Sequence, residues 1–279
     1  MVDQPDTLLG KATVYPAVYS PGVLQGISRS EGRALLSVDD RRLPFSGADL
    51  WTLYELSWLD QNGKPHVGIG EISIPCDSPF IVESKSLKLY LNSLNEHGFS
   101  STTDVLATLT ADLGAVCGAP VSAEIFTVDD YTEKGLRNMP GICLDRADVD
   151  CNDSPANSNP NPSLLSLLNG DEIVEETLYS HLLKSNCPVT GQPDWASVQI
   201  HYCGRKINRQ GLLAYIVSFR HHKAFHEQCV EQIFMDIYSR CEPEQLTVIA
   251  RYTRRGGIDI NPLRSLSANV PQSWRISRQ

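Results

Sequence analysis

The chain has 279 residues, 41% hydrophobic and 20% charged, a globular balance with length for one large domain or two ordinary ones. Lys and Arg number 24 against 33 Asp and Glu, a net charge of −9, which argues against a broad nucleic-acid surface but permits a local basic pocket. The longest apolar run, Leu212 to Phe219, is too short for a bilayer, and MVDQPDTLLG has no basic segment before an apolar one, so a cytoplasmic, non-membrane protein is expected.

WTLYELSWL (51–59) and HVGIGEISIP (66–75) are strand-like, and Asn62-Gly63 between them marks a turn. ESKSLKLYLNS (83–93) predicts a helix. STTDVLATLTADLGAVC (101–117) predicts another, because Val105, Leu106, Leu109, Leu113 and Val116 share a face behind a Ser/Thr/Asp start. VSAEIFTV (121–128) returns to strand character. From Asp145 to Gly170 the chain is dense in Asn, Asp, Ser and Pro and reads as an irregular linker. Asp145, Asp148, Asp150 and Asp153 lack the spacing and glycine of an EF-hand, so a solvated linker is the better reading than a metal loop.

Beyond the linker, EIVEETLYSHLL (172–183) and ASVQIHYCG (196–204) look extended, and Asn208 is placed to cap a helix over RQGLLAYIVSF (209–219). A longer helix from about Ala224 to Cys241 carries Phe225, Cys229, Val230, Ile233, Phe234 and Ile237 at helical spacing. LTVIARYT alternates with period two, placing Leu246, Val248, Ala250 and Tyr252 on one face. Each half therefore reads as two strands, two helices and one or two strands. The expectation is tandem α+β units, 1–144 and 171–279 around the linker 145–170, each an antiparallel sheet with helices on one face.

Eight cysteines are scattered without a C-x-x-C pair, which suits reduced thiols that mostly pack as small hydrophobes and gives little support to a zinc site. In HLLKSNCPVTGQPDW (181–195), the proline after Cys187 favours an extended thiol-bearing segment. A free thiol, with pKa about 8.5, is only a few per cent thiolate at neutral pH, and Lys184 or a histidine could raise that fraction. For Asp194 to donate a proton at pH 7, burial or negative neighbours must supply roughly 4 kcal/mol. On spacing alone, a packed Cys187 and a turn-capping Asp194 are the stronger reading.

Three more stretches carry chemistry-bearing residues. In SFRHHKAFHEQC (218–229), His226 and Glu227 open the long helix, and a glutamate fork suits the adjacent N–H and NH₂ of an aminopyrimidinone. On their own they read better as a solvated helix start. In IVESKSLKLYLNS (81–93), Glu83 could meet a ligand and Ser84 and Lys85 a phosphate, or the stretch is a plain N-cap. In RYTRRGGIDINP (251–262), Arg254 and Arg255 before Gly256-Gly257 could clamp a phosphate, or form a basic strand end before a turn. No G-x-G-x-x-G follows a strand, so a nucleotide held in Rossmann fashion is not expected.

Together these stretches resemble the NADPH-dependent 7-cyano-7-deazaguanine reductases, the nitrile reductases of queuosine biosynthesis, in their long-chain two-domain form. WTLYELSWL, ESKSLKLYLNS, VEETLYSHLLKSNCPVTGQPDW, SFRHHKAFHEQCVEQIF and ARYTRRGGIDINP carry the resemblance, which spans nearly the whole chain. It implies the tunnelling fold shared with GTP cyclohydrolase I, a homodimer, and reduction of the nitrile to a primary amine. It implies Cys187 as the nucleophile forming a thioimide and Asp194 as proton donor. It also implies Val82, Glu83, Ser84, His226 and Glu227 as substrate contacts, with Ser84, Lys85, Arg255 and Gly256 contacting NADPH. No metal is expected, the ligand is a free base rather than tRNA, and the site falls where the two halves meet. Two other readings stand beside this one: a zinc-dependent pterin or purine hydrolase on the same fold, and a non-catalytic purine-binding protein with a structural Cys187.

Overall fold

The computed structural model describes residues 15–149, 160–267 and 274–279. The opening MVDQPDTLLG, and Asp150, Cys151 and Asp153 of the linker, lie outside the described residues. In chain order the first half forms β1 (Gly26–Ser28), α1 (Arg29–Leu35), β2 (Ser46–Leu59), β3 (Pro65–Pro75), β4 (Phe80–Val82), α2 (Ser84–Leu94), α3 (Thr102–Cys117), β5 (Ser122–Phe126), α4 (Val128–Glu133) and β6 (Ile142–Cys143). The second forms β7 (Ile173–Asn186), β8 (Pro193–Arg205), α5 (Arg209–Ser218), α6 (His226–Cys241), β9 (Gln245–Tyr252) and β10 (Ile258–Ser265).

Local chemistry explains most boundaries. Gly63 turns the β2–β3 connection at φ 78°, a conformation a side chain resists. Glu83 caps α2, accepting the N–H groups of Lys85 and Ser86, and Ser101 and Asn208 cap α3 and α5. Gly118, left-handed, ends α3. On α3 the buried stripe is Val105, Leu109, Leu113 and Cys117, while Leu106 and Val116, expected on the same face, are only half-buried at its flanks.

A mixed α+β architecture results. One eight-stranded sheet runs β5-β3-β2-β10-β9-β8-β7-β6, antiparallel except for the short β6–β7 pair, and β1 pairs with β4 apart from it. β10 joins the halves, pairing with β2 on one side and β9 on the other. The two long hairpins share a device: β2 is bulged between Leu53 and Leu56, and β7 between Ser180 and Leu183, equally far from each strand's start.

Two apolar clusters form, one beneath α2 and α3 and one beneath α5 and α6. Register puts them on the same sheet face. Ile260 of β10 lies opposite Trp51 of the first cluster, and Arg264, on the same side of β10, lies opposite Val248 of the second. Buried charges fill the junction. Arg264 donates to both Asp49 and Glu231, Arg33 grips Glu231 with two nitrogens, and Arg29 donates to Asp49. The end of the expected linker is docked rather than free: Leu165 is buried in the second cluster, and the Leu168 N–H donates to the Lys206 carbonyl.

Candidate active site

The cleft forms because hydrogen bonds gather chain ends from both halves. At the end of β7 the Asn186 N–H donates to the His222 carbonyl, and its own carbonyl accepts from Ala224, which brings the start of α6 beside the β7–β8 hairpin. Within that hairpin Cys187 N–H donates to the Gln192 carbonyl, and Gly191, at φ 69°, donates back to the Cys187 carbonyl. Thr253 N–H donates to the Trp195 carbonyl and fixes the end of β9 beside Asp194. From the other half, Glu83 N–H donates to Gln25 and Val82 pairs with Gly26.

Val82, Glu83, Ser84, Cys187, Asp194, His226, Glu227 and Arg255 consequently line one narrow cleft. Pro188, Ala224 and Phe225 supply apolar wall on one side and Trp51, Ile81 and Ile260 on the other. Of the expected contacts, Lys85 and Gly256 fall outside this cleft. Gly256 borders an adjoining one with Glu55, Lys88 and Asn92.

Glu227 is buried, and burial, with Asp49 nearby, pushes its carboxyl up to about 8. Glu83 is also buried, both its oxygens occupied by the helix N–H groups it caps. The expected cap and the expected cleft residue are thus one group. The His226 ring stacks on Tyr252 at 3.7 Å, with Nε2 3.4 Å from Asp194 Oδ2. Asp194 Oδ1 accepts from Arg255 Nη1 at 2.8 Å. Burial was one expected route to a neutral Asp194; the side chain is buried, but its nearest charge is a guanidinium rather than an anion. Two buried ring nitrogens of cleft residues, Trp51 Nε1 and His226 Nδ1, lack a protein partner, as in a site built for a polar ligand.

Residues 15–125 match the family described as nitrile reductase, 7-cyano-7-deazaguanine-reductase N-term, and residues 193–270 match the QueF-like protein family. A protein of Dechloromonas aromatica (strain RCB), the NADPH-dependent 7-cyano-7-deazaguanine reductase, is 53% identical over 272 residues, 97% of this chain and 94% of its own. The chain belongs to the 7-cyano-7-deazaguanine reductase family. The crystal structure of the archaeosine synthase QueF-Like in the apo form aligns with 37% of this chain and 100% of its own, at 17% identity and a TM-score of 0.31. As a member of the reductase family the chain carries an oxidoreductase scaffold, and among its described residues no helix is long and apolar enough to cross a membrane.

Several residues of this reductase scaffold lie inside the quoted stretches without being singled out as site candidates. Trp51 lines the cleft, yet in the sequence it is one aromatic residue of a strand. Lys88 reads as part of a charged helix face, but its ammonium packs against Gly256, and burial and Arg255 push its pKa down. Tyr252 supports His226 by stacking, a contact no spacing shows. The charges of Asp49 and Arg29, which act on Glu227, likewise come from residues remote in sequence.

Proposed function

We propose that the cleft reduces the nitrile of 7-cyano-7-deazaguanine to the primary amine 7-aminomethyl-7-deazaguanine, consuming two NADPH per turnover, in queuosine biosynthesis. The observation that carries this reading is the meeting of Cys187, Asp194, Glu227 and Glu83 in one cleft, within a chain of this family. Family membership supports the NADPH-dependent reduction; the individual roles rest on the geometry. The continuous antiparallel sheet with helices on one face suits the tunnelling fold, and a homodimer is part of the proposal.

A nitrile has no leaving group and resists direct hydride addition. In the proposed first step the Cys187 sulfur pair forms a C–S bond, a C≡N π pair moves to nitrogen, and nitrogen takes a proton from Asp194. A thioimide and an Asp194 carboxylate result. The cofactor supplies hydride to carbon when bound. After one hydride and one proton the adduct releases the thiolate and leaves an imine, which a second hydride and proton convert to the amine. Glu227 in its ionised form accepts the ring N–H and the amino group, and the buried walls keep water from the imine. His226, stacked and within reach of Asp194, is placed to assist proton movement.

The residues fit a phosphorylated cofactor. Gly256 and Gly257, at φ 61° and 75°, turn the backbone beside Arg254, Arg255 and Lys88, and the crowding that lowers the Lys88 pKa is what an anion would relieve. Ser84 and Lys85 at the start of α2 are the second proposed contact. An NADPH-oxidation assay with the cyano base, the amine identified by mass and two cofactors consumed per product, tests the proposal. No oxidation, or hydrolysis of a pterin or purine ring instead, overturns it.

A further inference from the structure

We propose that Trp51 is a substrate-recognition residue: its indole N–H donates to the ring carbonyl of the bound base and selects a carbonyl over an amino group at that position. The inference rests on the nitrile-reductase reading above and deepens it, naming a contact that none of the motif residues supplies.

Trp51 lies on β2 between Ile260 of β10 and Ile72 of β3, and it is 2% exposed. Its ring belongs to the first apolar cluster and to the cleft wall that Ile81 and Ile260 continue. Its Nε1 is shut off from solvent and has no hydrogen-bond partner. A buried indole N–H ordinarily finds an acceptor, because an unpaired one forfeits the hydrogen bond it had in water.

The acidic side chains around the cleft are engaged elsewhere. Asp49, two residues earlier on the same face of β2, accepts from Arg264 at Oδ1 and from Arg29 at Oδ2. Glu83 accepts the N–H groups of Lys85 and Ser86, and Asp194 accepts from Arg255 at Oδ1 and faces His226 with Oδ2. Ile81, Val82 and Ile260 carry no side-chain acceptor. The partner of the indole N–H therefore arrives with the ligand.

Neighbouring groups indicate which ligand atom it is. Asp49 stands close enough to Glu227 for its charge to act there, so Trp51, its neighbour on one strand face, borders the Glu227 end of the cleft. An aminopyrimidinone held by the Glu227 fork has its carbonyl next to the ring N–H in that fork, and an indole can only donate. Carbonyl oxygen and indole N–H are complementary. An amino group in place of the carbonyl would set donor against donor, a mismatch that a buried polar contact rejects strongly.

The test uses 7-deazaguanine, which lacks the nitrile and so forms no adduct. With ¹⁵N-labelled tryptophan, the Trp51 indole resonance is the one missing from Trp51→Phe. If that variant folds poorly, Trp58→Phe, Trp195→Phe and Trp274→Phe assign the others and leave it by elimination. Saturating 7-deazaguanine should move its proton downfield, as a new hydrogen bond does. By calorimetry Trp51→Phe should bind the base about tenfold more weakly, the size of one lost hydrogen bond to a buried acceptor. A thiocarbonyl in place of the ring carbonyl keeps the ring N–H but accepts poorly. It should weaken binding to the unaltered protein and leave Trp51→Phe nearly indifferent, whereas a Trp51 that only packs gives equal losses in both. An unmoved indole proton, or equal losses, overturns the Trp51 assignment alone. Unaltered protein that neither binds 7-deazaguanine nor reduces the cyano base overturns the nitrile-reductase reading, and this contact with it.

Discussion

Glu227 and Glu231 stand one turn apart on α6, both buried, and arginine meets only one of them. Glu231 accepts from Arg33 and Arg264, whereas Glu227 faces the cleft with its carboxyl pushed up to about 8 by burial and by Asp49. Four residues of spacing put both on one helix face. On the proposed reading the first serves the ligand, while the second holds the scaffold.

Substrate binding should consequently strengthen as pH rises. Below pH 8 the empty Glu227 is mostly protonated and offers one acceptor fewer to a ring with two N–H donors. Affinity by calorimetry should gain about tenfold per pH unit below that point and level off above it. Stability should run the other way. The folded value lies above the ordinary 4.5, so the native state holds the extra proton and loses stability as pH climbs from there through about 8. Glu227→Gln should bind weakly at every pH and abolish both trends; a trend that persists in it belongs to another group.

Cys187→Ala should fold, because the thiol sits at the end of β7 in a hairpin closed by backbone bonds. It should lose NADPH oxidation and yield no covalent adduct by intact mass. An adduct surviving the change would move the nucleophile elsewhere.

Asp194→Asn should cost a large part of turnover, on the order of the hundredfold or more typical of a lost general acid, while substrate affinity changes little. Steady-state kinetics beside calorimetry separate the two, and unchanged turnover would remove the proton-donor role.

Lys88→Met should raise the Michaelis constant for NADPH while sparing affinity for the base. The ammonium lies against Gly256, and both line a pocket other than the one with the substrate walls; removing it also relieves crowding with Arg255. An unaltered constant for the cofactor would place the phosphate away from this turn.

Glu231→Gln should destabilise the fold by about 1–3 kcal/mol in denaturant titration, since it takes one carboxylate from Arg33 and Arg264 in the junction between the two cores and leaves them Asp40 and Asp49. Acid should weaken the same junction. Burial would raise the Asp49 pKa, but Arg264 and Arg29 hold it below the ordinary 3.8, so its contribution is present above that value and fades as pH falls beneath it. A Glu231→Gln midpoint equal to wild type would mean the network adds nothing net.

Much of the molecule was legible in the sequence because its signals are local. Asn62-Gly63, the Ser101 and Asn208 caps and the apolar stripe of α6 each act within a few residues of themselves, and strands and helices appear where they predict. The four motif stretches gave the candidate site residues, though their roles came from resemblance rather than spacing. β10 was not legible. It is buried throughout but carries Asp259, Asn261, Pro262 and Arg264, a pattern that reads as a loop. Pro262 is tolerated because the β9 ladder begins only at Leu263.

Sequence by itself determined the longer helices, both long hairpins and the kinds of side chain available for chemistry. Tertiary structure decided which of them meet: Arg33 with Glu231, 198 positions apart, Arg255 with Asp194, 61 apart, and Glu227 with burial and an Asp49 charge that push its carboxyl up. The reason is range. Caps and periodicity act over a few residues, whereas the charge state of a buried carboxyl is set by whatever the folded chain brings within a few ångströms of it.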